Sequence, residues 1–210
     1  PTPDGKTWNM WDPLLVEIGR LLQSEKGVRL AGVLTHAGQS YACETLEGIR
    51  ALAQTERDKA VACAEVLRRN GLPCPIVSVG STPTAFFAPD LSGVTEVRAG
   101  VFMLFDLVMA GLGVCRTRDI ALSVLASVIG HQKKRGWVIT DAGWMALSRD
   151  RGTASQKVDQ GYGLVCDADG EPRADFIVSS TNQEHGIIVD RSGKGIVWDD
   201  FRIGKVVRIL

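Results

Sequence analysis

Apolar positions along the chain change their spacing about halfway through. Leu14, Leu15, Ile18, Leu21 and Leu22 recur at helical spacing behind Asp12-Pro13, a cap-and-first-turn pair, and Gly27 stops the segment. Val28 to Leu34 is a near-continuous apolar run and predicts a buried strand. Glu44 to Asn70 then predicts a long helix whose stripe is Leu46, Ile49, Leu52, Ala53, Ala60, Ala64 and Leu67, ended by Asn70-Gly71 and Pro73. Ile76 to Val79 and Gly93 to Arg98 predict two short strands, and Phe102 to Met109 a helical turn or a short helix.

From about Ile120 the period shortens. The β-branched-rich run Ala121 to Ile129 is followed by Trp137 to Thr140, Gly163 to Cys166, Phe176 to Ser179, Gly186 to Val189, Ile196 to Trp198 and Lys205 to Leu210. All are short and separated by Asp, Gly and Ser turns. The chain therefore divides near residue 119 into an α/β part (1–119) and an all-β part (120–210). The first part offers about three βα units, too few for a closed (β/α) barrel, and carries no dinucleotide fingerprint. A piece of a longer protein is the expectation.

Composition narrows the function classes. The 210 residues carry 24 basic and 24 acidic side chains, so nothing marks a nucleic-acid or acidic-membrane partner. The longest apolar run, Val101 to Val114, is broken by Asp106, Gly111 and Gly113 and falls short of a membrane span. The polar start Pro1-Thr2-Pro3-Asp4-Gly5-Lys6 is unlike a signal peptide. Five scattered cysteines without a CxxC pair fit a reducing, cytoplasmic setting, with Cys63 and Cys115 read as buried small apolar residues.

Three strand ends carry the candidate chemistry: His36-Ala37-Gly38-Gln39-Ser40-Tyr41, Gly80-Ser81-Thr82-Pro83-Thr84 and Arg98-Ala99-Gly100-Val101-Phe102. In an alternating β/α chain such loops converge on one face, where active sites form. Hydroxyls and backbone N–H groups at Gly80, Ser81 and Thr82 suit a phosphate dianion, with the N–H groups of Gly100 and Val101 completing a cradle. The bland alternative for Ser81-Thr82 is a Pro-bounded turn, with Pro83 holding Thr82 extended. His36 either lines a pocket or serves the fold. Asp141 and Asp150 either pair or satisfy turns, and a lone His185 is weak evidence for a metal.

Taken together the motifs resemble the D-serine dehydratase and D-threonine aldolase family, fold-type III enzymes related to alanine racemase. Gly32 to Tyr41 is similar to its HxGxxY segment, Gly80 to Thr84 to its GSTPT loop, and Glu96 to Phe102 with Asp106 to its next phosphate-side turn. Asp141-Ala142-Gly143 with Ala146 to Gly152 resembles the DAG…S-x-D-x-G stretch, and Glu184-His185-Gly186 the EHG element.

The resemblance implies part of a (β/α)8 barrel binding pyridoxal 5'-phosphate, followed by a β-strand domain. It implies Tyr41 as the catalytic residue, in contact with cofactor or substrate. It implies Gln39, Tyr41, Gly80, Ser81, Thr82, Gly100 and Val101 as cofactor-binding residues. Gln39 stands where relatives often have histidine, and Phe102 where tyrosine is frequent. The cofactor-anchoring lysine is expected upstream of Pro1 and a His-x-Cys or His-x-Asp pair for zinc beyond Leu210. No metal ligand is assigned within the chain, which on its own is expected to be inactive; Lys6 reads as an exposed turn residue.

The implied reaction is metal-assisted dehydration of D-serine or a D-3-hydroxyaspartate to a 2-oxo acid and ammonia, in a homodimer. Retro-aldol cleavage to glycine and an aldehyde is the second reading. A non-catalytic cofactor-binding relative and a sugar-phosphate barrel are the others.

Overall fold

The computed structural model describes residues 13–210. The expected Asp12 cap and the Lys6 turn lie outside the described residues. The chain forms two compact units, Pro1–Gly100 and Val101–Leu210.

In the first unit α1 (Pro13–Ser24), β1 (Gly32–Leu34), α2 (Leu46–Arg69), β2 (Ile76–Val79), α3 (Thr82–Phe87) and β3 (Glu96–Val97) follow in order. The strands make a three-stranded parallel sheet, order β1-β2-β3, with Gly32 opposite Ile76 and Ser78 opposite Glu96. α2 begins at a Thr45 cap whose side chain accepts the Gly48 N–H, and ends at Asn70. Its buried stripe of Ala60, Ala64 and Leu67 packs on Val77 and Val79 with Leu30, Leu72 and Cys74. α1 adds Leu15, Val16 and Leu22, while Leu14, Ile18 and Leu21 are exposed. Gly19 is buried because a Cβ there would lie 2.8 Å from Leu72 Cδ1.

Three local expectations are corrected. The strand expected over Val28 to Leu34 is only three residues long, because pairing to β2 begins at Gly32. A helix follows the second strand: Ser81 caps α3 with its side chain, so Thr82 opens a helical turn instead of standing extended before Pro83. The helical turn or short helix expected over Phe102 to Met109 is divided in two. A 3-10 turn, Val101–Met103, is followed by Phe105 at φ 55°, and then by α4 (Leu107–Gly111), capped by Asp106 on the Met109 N–H.

The second unit continues with β4 (Val124–Gln132), β5 (Trp137–Thr140), β6 (Leu164–Cys166), β7 (Pro172–Thr181), β8 (Gly186–Asp190) and β9 (Val206–Ile209). These close into an antiparallel barrel, order β4-β5-β8-β7-β6-β9. Alternation sets its lining: Ala126, Val128, Val138, Val207 and Ile209 point inward, while Leu125 and Ile129 are exposed. Phe201 is fully buried in this core, its ring 4.9 Å from Phe176. It comes from a 3-10 turn, Trp198–Phe201, where a strand over Ile196 to Trp198 was expected. Segment 101–119 belongs to this second unit; the Ala121 N–H donates to Leu104 O and Gln156 Nε2 donates to Val108 O.

Candidate active site

At the carboxyl ends of β1, β2 and β3 the first unit gathers a polar cluster around Glu56. This residue sits where α2's stripe passes over the sheet, and it is 7% exposed. Its Oε1 accepts from Thr35 Oγ1 and from the Gly80 N–H, both at 3.0 Å, and its Oε2 accepts from Thr84 Oγ1 at 3.0 Å. Three donors on three segments thus satisfy a carboxylate that would be costly to bury alone. No sequence motif contained Glu56. The available signal was a lone charge at a core position of the stripe, between Ala53 and Ala60.

The Gly80-Ser81-Thr82 loop follows from this anchor. Gly80 adopts φ +134°, and a Cβ there would stand 2.3 Å from Arg98 O, so only glycine passes between β2 and the end of β3. The Ser81 Oγ lies 3.0 Å from both Ser40 Oγ and Thr84 Oγ1, and the Ser81 N–H donates to Thr84 Oγ1 at 3.2 Å. The expectation of free N–H groups at Gly80 and Ser81 is therefore corrected: both donate inside the unit, since the loop is pinned by Glu56 and by the α3 cap. Thr82 differs. Its Oγ1 is buried and has no hydrogen-bond partner among the described residues.

His36 directs Nδ1 to Gly80 O at 2.8 Å. A carbonyl only accepts, so the ring proton is on Nδ1. Its ring lies 6.2 Å from that of half-buried Tyr41, at 29°. Gln39 is exposed on the same 3-10 turn, Gly38–Ala42, where its carbonyl accepts from Cys43 Sγ at 3.7 Å. Arg98 donates to Thr35 O and to Ser78 Oγ, and Ser78 Oγ donates to Glu96. Gln39, Tyr41, Gly80, Ser81 and Thr82 thus all belong to the first unit's strand-end loops. Gly100 ends this unit with open space where a Cβ would stand, and Val101 opens the second.

In the second unit Asp141 accepts the Ser127 N–H at 2.7 Å, and Asp150 bonds Ser148 Oγ at 3.2 Å. Each thus satisfies its local backbone or hydroxyl. Gly143 packs against the turn that precedes Gly186: a Cβ would meet Asn182 O, Gln183 O and His185 N at 2.3 to 2.5 Å. The DAG and EHG segments are therefore one docked pair of turns. Glu184 and His185 are exposed there. Among the described residues no three His, Cys, Asp or Glu side chains gather as a metal site requires.

A three-stranded parallel sheet with a phosphate-suited loop, joined in sequence to an antiparallel barrel, defines an alanine racemase-like chain. The family model "Alanine racemase, N-terminal domain" matches residues 11–107, and "Putative serine dehydratase domain" matches residues 121–210. The chain belongs to the D-serine dehydratase-like family of alanine racemase relatives.

D-threo-3-hydroxyaspartate dehydratase of Delftia sp. (strain HT23) is 58% identical over 200 residues, covering 94% of this chain and 52% of that protein. D-serine dehydratase of Dictyostelium discoideum is 30% identical over 186 residues, covering 85% and 46%. The chain spans about half the length of the curated relatives it matches. The solved structure of the Delftia sp. HT23 enzyme superposes with a TM-score of 0.91 at 56% identity, over 98% of this chain and 55% of that one. D-threonine aldolase from Filomicrobium marinum, at 22% identity, 93% and 48% coverage and a TM-score of 0.66, shares the fold.

Proposed function

We propose that the whole protein is a pyridoxal 5'-phosphate-dependent dehydratase of D-β-hydroxy amino acids, giving a 2-oxo acid and ammonia. The observation that carries this is the 58% identity to D-threo-3-hydroxyaspartate dehydratase, which runs through both units. D-threo-3-hydroxyaspartate is accordingly the favoured substrate, ahead of D-serine.

The residues present fit the cofactor on one structural observation: an orphaned, buried Thr82 hydroxyl beside the Gly80 and Ser81 N–H groups, which are already paired. Thr82 supplies a donor to the phosphate. Gly80 and Ser81 hold the loop's shape. Pyridoxal phosphate, when bound, supplies a pyridine ring that takes up carbanion charge. Tyr41 orients the cofactor ring or substrate, backed by His36. Gln39 presents its amide from the same turn. The described residues do not fit a metal site, and no step through a metal is derived from them.

The test is turnover by the whole protein. D-threo-3-hydroxyaspartate should yield a 2-oxo acid and ammonia, and the L-isomer should not react. Chelation should stop this while leaving the cofactor's absorbance in place if zinc is required, as expected for the family. A cysteine-to-alanine mutant of D-threo-3-hydroxyaspartate dehydratase has been solved in a metal-free form. Glycine and an aldehyde as products would establish the aldolase instead, and no reaction with bound cofactor the non-catalytic relative.

A further inference from the structure

Glu56 ends a chain of hydroxyls whose proton directions follow from charge. Thr84 has one O–H, and the Glu56 carboxylate at 3.0 Å is a stronger acceptor than Ser81 O at 3.3 Å. With that proton spent, the lone pairs of Thr84 Oγ1 receive the Ser81 N–H at 3.2 Å and the Ser81 hydroxyl at 3.0 Å. The Ser81 Oγ then accepts from Ser40 Oγ at 3.0 Å and from the Thr84 N–H at 3.4 Å. Protons run from Ser40 to Ser81 to Thr84 to Glu56, across four segments of the first unit. The Gly80 N–H, on the other carboxylate oxygen, fixes the loop's entry.

We infer that Glu56 is the positioning residue of the phosphate loop. It holds the Gly80-Ser81 backbone in place and turns the Ser81 hydroxyl inward, so that Thr82 is the hydroxyl left for the phosphate. This rests on the cofactor reading above. Ser81, the more obvious ligand by sequence, belongs to the support. A purely structural Glu56, tying α2 to β1 through Thr35, would leave anion binding untouched.

Comparing pyridoxal 5'-phosphate with phosphate-free pyridoxal separates these roles, read by absorbance titration of the whole protein. Glu56→Gln keeps the shape, but its carbonyl oxygen must face the Gly80 N–H, which leaves its NH2 to donate to Thr84 Oγ1 and reverses the hydroxyl chain. The preference for the phosphorylated form should fall about tenfold, as charge-assisted bonds become neutral ones, with pyridoxal affinity unchanged. Thr84→Val, which cuts the chain and one half of the α3 cap but leaves the bond from the residue-84 N–H to Ser81 Oγ, should do the same. Thr35→Val should lower thermal stability and leave the preference intact. If Glu56→Gln does not fold, Thr84→Val decides. An unchanged preference in the folded variants, or equal weakening of both compounds, overturns the inference. A wild-type protein with no preference for the phosphorylated form overturns the cofactor reading itself, and the inference with it.

Discussion

Replacing Gly80 with alanine tests whether the strand-end loop is built by backbone packing. The new Cβ would stand 2.3 Å from Arg98 O and 2.8 Å from Arg98 N, both backbone atoms that no rotamer can move. Relief requires β3 to retreat from β2 by about 1 Å, enough to bring a Cβ contact toward ordinary van der Waals distance. That retreat breaks the hydrogen bond from the Arg98 N–H to Val79 O, now 2.9 Å. β3 has two paired residues and no further ladder to absorb the shift. The φ of +134° adds about 1–2 kcal/mol for a residue with a Cβ. The lost backbone bond costs about 1 kcal/mol, and weakening the Gly80 N–H bond to the Glu56 carboxylate about 1.5 kcal/mol more.

The expected loss is therefore about 4 kcal/mol, confined to the first unit and a large share of a typical domain's stability. Native-state hydrogen exchange at the amides of Ile49, Ala60 and Leu67 in α2 reads that unit separately from the barrel. Gly100→Ala is the matched control, because nothing lies within 4 Å of a Cβ there, and its exchange should match wild type within about 0.5 kcal/mol. A Gly80→Ala protein within about 1 kcal/mol of wild type would refute the close-approach argument.

Other expectations are as direct. Thr82→Val keeps volume and removes the orphaned hydroxyl. It should weaken pyridoxal phosphate binding by about 1.5–3 kcal/mol, the worth of one charge-assisted bond, without lowering the melting temperature. Gly143→Ala should undock the turn before β8, seen as faster amide exchange at Trp144 and Met145, whose N–H groups donate to Asn182 O and Gln183 O. Burial raises the Cys166 thiol from 9.0 to about 11, so it should resist alkylation at neutral pH until the barrel unfolds. The unfolded chain ionises first as pH rises, so the barrel's stability should be intact below pH 9 and decline between 9 and about 11. A Cys166→Ala variant lacking that decline would identify its source.

Period carried most of the fold into the sequence. The α2 stripe and the bounds of β2 and β5 are read directly from the spacing of apolar residues, because one face of each element meets a core. What period could not carry was set by pairing and capping. β1 starts at Gly32 because that is where β2 lies alongside, and Val28, with no strand beside it, is exposed. α3 exists because the Ser81 and Thr84 side chains reciprocally cap a six-residue segment too short for any hydrophobic period. Closure of the second unit into a barrel depends on β4 pairing β9, at opposite ends of the segment, and no local pattern states that.

The loop was legible by motif, and the state of its donors was not. Small hydroxyl residues at a strand end mark an anion loop whichever of them meets the anion, since sequence counts donors and cannot say which are spent. Here the count is reduced from within: the Gly80 N–H, the Ser81 N–H and the Ser81 hydroxyl all donate inward on a path ending at Glu56. The residue that fixes this outcome sits 24 positions before Gly80, disguised as one polar letter in an apolar stripe. A helix that accepts a charge at a core position loses apolar burial there, a cost that stability alone would select against. Three hydrogen bonds to segments at the strand ends offset that cost, and two of them, from Gly80 and Thr84, shape the loop itself. The first unit thus holds this backbone in one conformation, which under the cofactor reading proposed above lowers the ordering cost of capturing a dianion at Thr82.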